Sequence, residues 1–424
     1  MISAAKIYST IAIVLLILVL IDVYVYFGLR TILSSSSKKV KAIASWIYWT
    51  INAAFIALTL YTAYTFSPYT GGVGSTIRLL AASFVLLYVP KLFYIVFLLL
   101  EDVYRLLRCI GVGIYKLVEK DKATDVRFFE SRRKFVGQMG ALIAGIPFIS
   151  IIYGETKGKY NFKIHKVELS FKDLPKQFDG LTITQISDIH SGSFDDREEV
   201  KRAVKMANGL NSDIMFFTGD LVNNRSDEMD TWMDVFKELK APMGVYSILG
   251  NHDYGDYVQW TSIAAKEANM EKLYRIHKEL GYRLMRNENL KIERNGASIE
   301  LIGIENWGRG GFSKYGDFNK ALVGTSPDSF KILLSHDPTQ WEEQVMNHPQ
   351  QIHLTLSGHT HGAQFGVEIA GIKISPVQLR YKRWAGLYLE NNRYLYVNRG
   401  LGFIGFPGRV GIWPEITSIT LKSV

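Results

Sequence analysis

A single cysteine, Cys109, stands among 424 residues, so no intrachain disulfide can brace this protein. An oxidising compartment permits disulfides without requiring them, so the absence leaves the location of the chain open. Net charge is also missing, but only from part of the chain. Residues 1–155 hold 16 of the 49 basic and 8 of the 40 acidic side chains, a balance of +8, whereas residues 156–424 hold 33 against 32. The basic character therefore belongs to the N-terminal part and gives no reason to expect nucleic-acid binding by the rest. Long apolar runs are the third absence. Nearly all fall before residue 155, and beyond it short apolar stretches alternate with polar turns, without internal repeats or low-complexity segments.

Three early runs, 7–29, 44–66 and 77–100, are long enough to cross a bilayer as helices, which takes about 20 apolar residues. Asp22 in the first and Pro90-Lys91 in the third predict positions facing a bundle interior or the interface. A fourth run, 135–154, is interrupted by four glycines, Gln138 and Pro147, giving about four membrane helices in all. The loop 30–41 carries Arg30, Lys38, Lys39 and Lys41 without an acid, 67–76 carries no charge, and 101–134 is again rich in Lys and Arg. The positive-inside rule places the first and third in the cytoplasm and the second outside. With the fourth crossing, everything from residue 156 lies outside. Ser131-Arg132-Arg133-Lys134-Phe135-Val136 reads either as a twin-arginine export signal set unusually far into the chain or as a basic stop at the membrane face. Both readings keep the arginine pair in the cytoplasm.

After a polar linker at 155–163, β-rich runs at 181–187, 214–218, 244–249, 298–304, 330–334 and 352–356 are interleaved with helical patterns at 197–210, 228–239 and 262–280. Such alternation predicts sheets with helical cover. From Ser357 onward the chain becomes strand-rich, with turns at Gly371 and Asn391-Asn392. The expected architecture is α/β: a four-layer α/β/β/α sandwich in residues 156–424, preceded by a transmembrane region in residues 1–155.

Five polar motifs each follow directly on one of these strands. They are Asp188-Ile189-His190, Gly219-Asp220, Gly250-Asn251-His252-Asp253, Ser335-His336-Asp337 and Ser357-Gly358-His359-Thr360-His361-Gly362. A Gly-Asp after a strand is usually only a turn, and each motif alone is weak. Together they place carboxylates, imidazoles and an amide at the carboxyl ends of strands, where ligands of α/β sheets collect. That donor set suits Mn²⁺, Fe or Zn²⁺ and argues against thiolate-selected metals. Two such ions about 3.5–4 Å apart can clamp the attacking and leaving oxygens of a phosphoryl displacement. His165, His277, His348 and His353 read as structural.

In this order the five motifs resemble those of the calcineurin-like metallophosphoesterases, over roughly residues 160–424. The ending Val397-Asn398-Arg399-Gly400-Leu401-Gly402 with Pro414-Glu415-Ile416-Thr417 resembles the bacterial membrane-associated, often twin-arginine-exported branch. That branch usually carries an Asp pair where this chain has Glu305-Asn306. The resemblance implies that Asp188, His190 and His361 hold a first metal, Asn251, His336 and His359 a second, and that Asp220 bridges them. It further implies that His252 faces the scissile phosphate as a general acid, with Asp253 orienting it. Arg309 and Arg399 are the cations expected near the phosphoryl oxygens.

The expected function is hydrolysis of phosphate mono- or diesters, lipid phosphates among them, with two divalent ions, Mn²⁺ foremost. The expected location is the bacterial cytoplasmic membrane, with the catalytic domain outside the cytoplasm. The alternatives are a cytoplasm-facing nucleotide-lipid pyrophosphatase of the UDP-diacylglucosamine type, or an inactive metal- or partner-binding module. A run at 401–413, holding Phe403, Phe406 and Trp413 with Arg399 and Arg409 nearby, is read either as a core edge or as a lipid-facing tip.

Reporter fusions test the topology. Fusions at Ser36 and Glu119 should read as cytoplasmic, and fusions at Gly72 and after Val424 as extracytoplasmic. A cytoplasmic signal at the C-terminus would remove the fourth crossing and favour the pyrophosphatase.

Overall fold

The apolar runs form helices longer than the runs themselves. The computed structural model describes residues 4–66, 74–118, 130–369 and 371–424; the Gly72 and Glu119 fusion sites, most of the uncharged loop and residues 119–129 of the basic stretch lie outside these. Helices α1 (Ala4–Ile32), α2 (Lys38–Thr65), α3 (Ser75–Val118) and α4 (Glu130–Thr156) are each long and apolar enough to cross a membrane. α3 continues 18 residues past the expected end, helped by Arg105 lying 4.0 Å from Glu101 and 3.7 Å from Asp102 on adjacent turns.

The chain forms two compact units, Met1–Phe66 with Leu79–Ile152, and Ser67–Arg78 with Tyr153–Val424. In the first, Asp22 and Lys91 face the bundle interior, as their sequence positions predict. Asp22 is 1% exposed and accepts from Lys91 Nζ at 2.6 Å and Tyr88 Oη at 3.1 Å, while Lys91 also donates to Asn52 Oδ1 at 2.6 Å. Charges in a bundle core survive only when paired in this way.

The second unit holds β1 (Lys163–Phe171), β2 (Thr182–Ile186), β3 (Ile214–Phe217), β4 (Val245–Ser247), β5 (Tyr282–Leu284), β6 (Glu288–Arg294), β7 (Ala297–Gly303), β8 (Lys331–Leu334), β9 (Leu354–Ser357), β10 (Val367–Ile369), β11 (Ile372–Ile374), β12 (Gly386–Glu390), β13 (Arg393–Val397) and β14 (Glu415–Ser423). One six-stranded sheet runs β1-β14-β2-β3-β4-β5, a second β12-β13-β9-β8-β7-β6, and β10-β11 form a separate hairpin. Strand alternation explains the layers. Ile332 and Leu334 of β8 enter the core between the sheets, and Leu333 between them enters the outer core with Trp341. Helices α5 (Arg197–Asn208), α6 (Met233–Phe236) and α7 (Ile263–Glu279) cover the first sheet. The short helix α8 (Phe318–Ala321) and a π-helical turn (Trp341–Val345) pack on the outer face of the second, which completes the α/β/β/α sandwich.

Two local expectations change. Of the helical pattern at 228–239, only a 3₁₀ turn (Ser226–Met229) and the single turn α6 are helical, because Glu228 turns back to accept from the amides of Asn223, Asn224 and Arg225. The polar linker is docked: Lys159 and Tyr160 are buried and both bond Asp195.

His277 of α7 is fully buried, with Nδ1 3.0 Å from Ser247 Oγ. Burial pushes its pKa down to about 3, against an unfolded value near 6.5. The native state therefore excludes a proton that the unfolded chain binds below pH ~6.5. This site should cost about 1.4 kcal/mol of stability per pH unit as pH falls from ~6.5 toward ~3. Thermal unfolding of the full chain in detergent between pH 7 and 5, compared with His277→Gln, should show a shallower pH dependence in the variant.

Candidate metal centre

β2, β3 and β4 of one sheet and β8 and β9 of the other run parallel within their sheets, and the loops leaving their carboxyl ends meet. Those loops take unusual backbone shapes. Asp188, His190, Asp220, His359 and His361 have φ of 52°, 49°, 60°, 72° and 50°, a left-handed region costly for non-glycine residues. Among the described residues, every positive-φ residue that is neither glycine nor asparagine lies in these loops. Glycine lets the loops approach: a Cβ on Gly250 would sit 2.2 Å from Asp220 Oδ1, and one on Gly358 2.1 Å from Asp188 Oδ2.

The side chains form two groups with Asp220 between them. In the first, His361 Nε2 lies 3.2 Å from Asp188 Oδ1 and 3.0 Å from His190 Nε2. In the second, His336 Nε2 lies 3.2 Å from Asn251 Oδ1, and His359 Nδ1 lies 2.8 Å from that same oxygen. Asp220 Oδ2 is 3.5 Å from His190 Nε2 and 3.1 Å from His336 Nε2. Thus all seven expected ligands are brought together. Asp188, His190 and Asp220 are at most 1% exposed.

Several hydrogen bonds decide which nitrogens are free. His336 Nδ1 is 2.7 Å from the Thr218 carbonyl, which can only accept, so the proton sits there and the Nε2 lone pair faces Asp220 and Asn251. Asn251 Nδ2 donates to Tyr257 Oη, turning Oδ1 inward. His359 Nε2 bonds the Tyr381 hydroxyl at 2.8 Å, leaving Nδ1 for the cluster. With the His336 ring neutral, its Nε2 and the Asn251 Oδ1 thus turn lone pairs toward one point. Donors bound to one cation at about 2.1 Å lie about 3.0–3.4 Å apart, close to the separations here. The residues fit divalent cations. The titration directions agree. Burial would raise the Asp220 pKa, but the His336 and His252 imidazoles hold it well below the usual range. Burial would lower His336, yet Asp220 and Asp188 push it up to about 10. The pocket favours positive charge between its carboxylates.

His252 is only partly buried and lines a cleft of about 340 Å³ with Asp220, Asn251 and His359. Its Nδ1 donates to the Asn223 carbonyl at 2.7 Å, which leaves Nε2 as the nitrogen not engaged by that carbonyl. Here the structure departs from expectation: Asp253 does not orient His252. It is fully buried and accepts from the amides of Asp220, Leu221, Val222 and Gly250 at 2.8–3.2 Å, so it shapes the loops instead. Burial and the nearby Asp220 charge push it up to about 7.

The two expected arginines have other partners. Arg399, 3% exposed, is held by Glu415 and Glu368 and cannot also turn to a phosphate. Arg309 lies beside Glu342 and Glu343, with its amide donating to Asp337. Sequence reasoning missed Arg380, which is exposed, lines the cleft, and stacks its guanidinium 4.7 Å from the Phe312 ring. Its only sequence signal was its place in a basic stretch, Arg380 to Arg383. Arg409 is also buried, donating to the carbonyls of Gly400 and Gly402 and lying 3.1 Å from His361 Nδ1. Glu305 and Asn306 stay off the metal cluster: Glu305 pairs with Arg286 at 3.1 Å, and Asn306 carries the 306–316 loop.

A buried set of carboxylate, imidazole and amide donors at the rim of a two-sheet sandwich defines a metal-dependent phosphoesterase class. Comparison with known proteins agrees. Residues 7–159 match the family described as probable calcineurin-like phosphoesterase, transmembrane domain, and residues 181–363 match calcineurin-like phosphoesterase. A Bacillus subtilis protein named uncharacterized metallophosphoesterase YkuE is 32% identical over 298 residues, covering 69% of this chain and 98% of that one. A zebrafish (Danio rerio) transmembrane protein with metallophosphoesterase domain is 30% identical over 285 residues, 65% of this chain and 61% of that one. The Chlamydia trachomatis UDP-2,3-diacylglucosamine pyrophosphatase LpxG is 27% identical over 283 residues, 54% of this chain and 81% of that one. The chain belongs to the calcineurin-like metallophosphoesterases; it is a membrane protein and a metal-dependent phosphoester hydrolase.

Chelation should abolish hydrolysis of a generic phosphodiester by the full chain, and Mn²⁺ should restore it. Asp220→Asn should lose metal by elemental analysis and drop in rate on the order of 10³-fold, the scale of several kcal/mol of charge stabilisation. Full activity with unchanged metal content would refute the assignment of Asp220.

Proposed function

We propose that this chain hydrolyses phosphate mono- or diesters, lipid phosphates among them, at a site holding two divalent ions, Mn²⁺ foremost and Fe or Zn²⁺ otherwise. We further take residues 1–155 as the membrane region and 156–424 as the catalytic domain, facing outward from a bacterial cytoplasmic membrane. The observation that carries this reading is the position of the Asp220 carboxylate, within 3.5 Å of one imidazole from each group. In the proposal Asp188, His190 and His361 hold one ion, Asn251, His336 and His359 the other, and Asp220 is shared. Bound there, the ions would supply an acidified water at neutral pH and offset charge on the phosphoryl group.

The chain's own residues supply the rest. His252 is held by the Asn223 carbonyl so that Nε2 can pass a proton to the leaving oxygen. Arg380, at the cleft rim, is placed to meet phosphoryl oxygens better than Arg309 or Arg399. Asp253 keeps the Gly219–Val222 backbone, and so Asp220, in position. The Chlamydia relative's name favours a second reading, cleavage of a nucleotide-linked lipid pyrophosphate. The same site could attack such a linkage, and a catalytic domain on the cytoplasmic side would support it. Assay of the purified full chain with Mn²⁺ on phosphomonoesters, phosphodiesters, lipid phosphates and a nucleotide pyrophosphate separates the two.

His252→Ala should lower turnover by about 10²–10⁴-fold for esters with a poor leaving group while both metals stay bound. The loss should shrink for nitrophenyl esters, which need little protonation. An equal loss across leaving groups would assign His252 to positioning instead.

A further inference from the structure

The 401–413 run is not an exposed tip. Phe403 is 1% and Arg409 0% exposed, and Phe403 packs edge-on against Tyr160 and Phe194 in the core. The exposed apolar surface lies one hairpin earlier. β10 and β11 pair antiparallel with Val367 opposite Ile374, Glu368 opposite Lys373 and Ile369 opposite Ile372. Because side chains alternate, the four branched aliphatics share one face and the two charges the other.

On a water-soluble domain the apolar face of such a hairpin turns inward. Here it is reversed. Glu368 accepts from Arg399 Nε at 3.0 Å and Nη2 at 2.5 Å, and Arg399 is itself clamped to the buried Glu415. Lys373 donates to the Ala385 carbonyl, 5.2 Å from the Trp384 ring. These bonds hold the charged face in. Val367, Ile369, Ile372 and Ile374 stand 49%, 69%, 59% and 57% exposed, and Leu379, in the turn after β11, is 96% exposed.

Three observations identify what covers this face. The hairpin's root is tied to the end of the last membrane-crossing helix: Gly366 N donates to the Val410 carbonyl, and Arg409 N to the carbonyl of Gly154, in the last turn of α4. The fringe is cationic, with Arg380 and Lys382 exposed beside Leu379, the pairing of apolar tip and cations that suits anionic headgroups. Pro376 and Val377, in that same turn, line the metal cleft, so the apolar face is continuous with it.

We propose that the β10–β11 hairpin lies in the lipid surface of the membrane this chain spans, and that the favoured substrate is a phosphate ester carrying long hydrocarbon chains, admitted to the cleft from the bilayer. The first half stands on the hairpin alone; the second rests on the hydrolase reading above.

The test uses the full chain in phosphatidylglycerol-containing nanodiscs. An environment-sensitive fluorophore on Ile369→Cys, with Cys109→Ser, should shift blue and be quenched by lipid-borne spin labels. Ile369→Ser with Ile372→Ser should cut hydrolysis of a long-chain lipid phosphate on the order of tenfold in kcat/KM, since each loses an apolar surface. The same variant should leave a short nitrophenyl phosphodiester unaffected. A probe in water overturns the proposal. So does a probe shielded from water but untouched by lipid quenchers, which would assign the face to a second copy or a protein partner. Equal lipid hydrolysis by the variant removes the substrate half. Hydrolysis of neither ester with Mn²⁺ would instead defeat the hydrolase reading, leaving the fluorescence to decide the hairpin.

Discussion

Asp220 must keep a negative charge while only 1% exposed, and much of the catalytic unit is arranged around that demand. An isolated buried carboxylate is costly enough to take up a proton. This one is surrounded by the imidazoles of His190 and His336, one from each sheet, and by the His252 amide, which donates to Oδ1 at 2.9 Å. Its loop is held in turn by Asp253 through three backbone amides. At this point the two sheets are joined by polar contacts as well as by the apolar core between them. The left-handed backbone at five of the proposed ligands is the conformational cost of that convergence.

The same rule governs the other buried charges. Arg399 is satisfied by Glu415 and Glu368, and Arg409 donates to the carbonyls of Gly400 and Gly402. In the membrane unit Asp22 and Lys91 pair with one another and with Tyr88 and Asn52. Removing one partner of such a pair leaves an uncompensated charge, which typically costs about 3–5 kcal/mol. Through its bonds to Glu368, Arg399 fixes which face of the β10–β11 hairpin turns outward.

Burial separates two apolar segments that look alike in composition. The 401–413 run and the hairpin both mix large aliphatic or aromatic residues with glycine. Phe403 is enclosed by Tyr160 and Phe194 from elsewhere in the unit, whereas the β10–β11 aliphatics have their charged face occupied and nothing of the described chain over the apolar one. Long-range packing makes that difference.

The seven side chains proposed to hold the metals were legible in the sequence because each is of a type that chemistry needs and each follows an apolar strand. The membrane helices were legible because a bilayer demands length and apolarity from a single segment. The α7 helix was legible because its period is local, and Ser262 caps it where the pattern begins. What the sequence left undecided depends on partners far away in the chain. The group that orients His252 is a backbone carbonyl, at Asn223, which no residue type announces. Whether an arginine is free depends on carboxylates brought in by folding: Arg399 meets Glu368 and Glu415, while Arg380 stacks on Phe312 and stays open to the cleft. The alternation Val367-Glu368-Ile369 shows that the strand has two unlike faces, but not which of them turns inward. Only the tertiary structure, by pairing Glu368 with a buried guanidinium, decided that the apolar face turns outward.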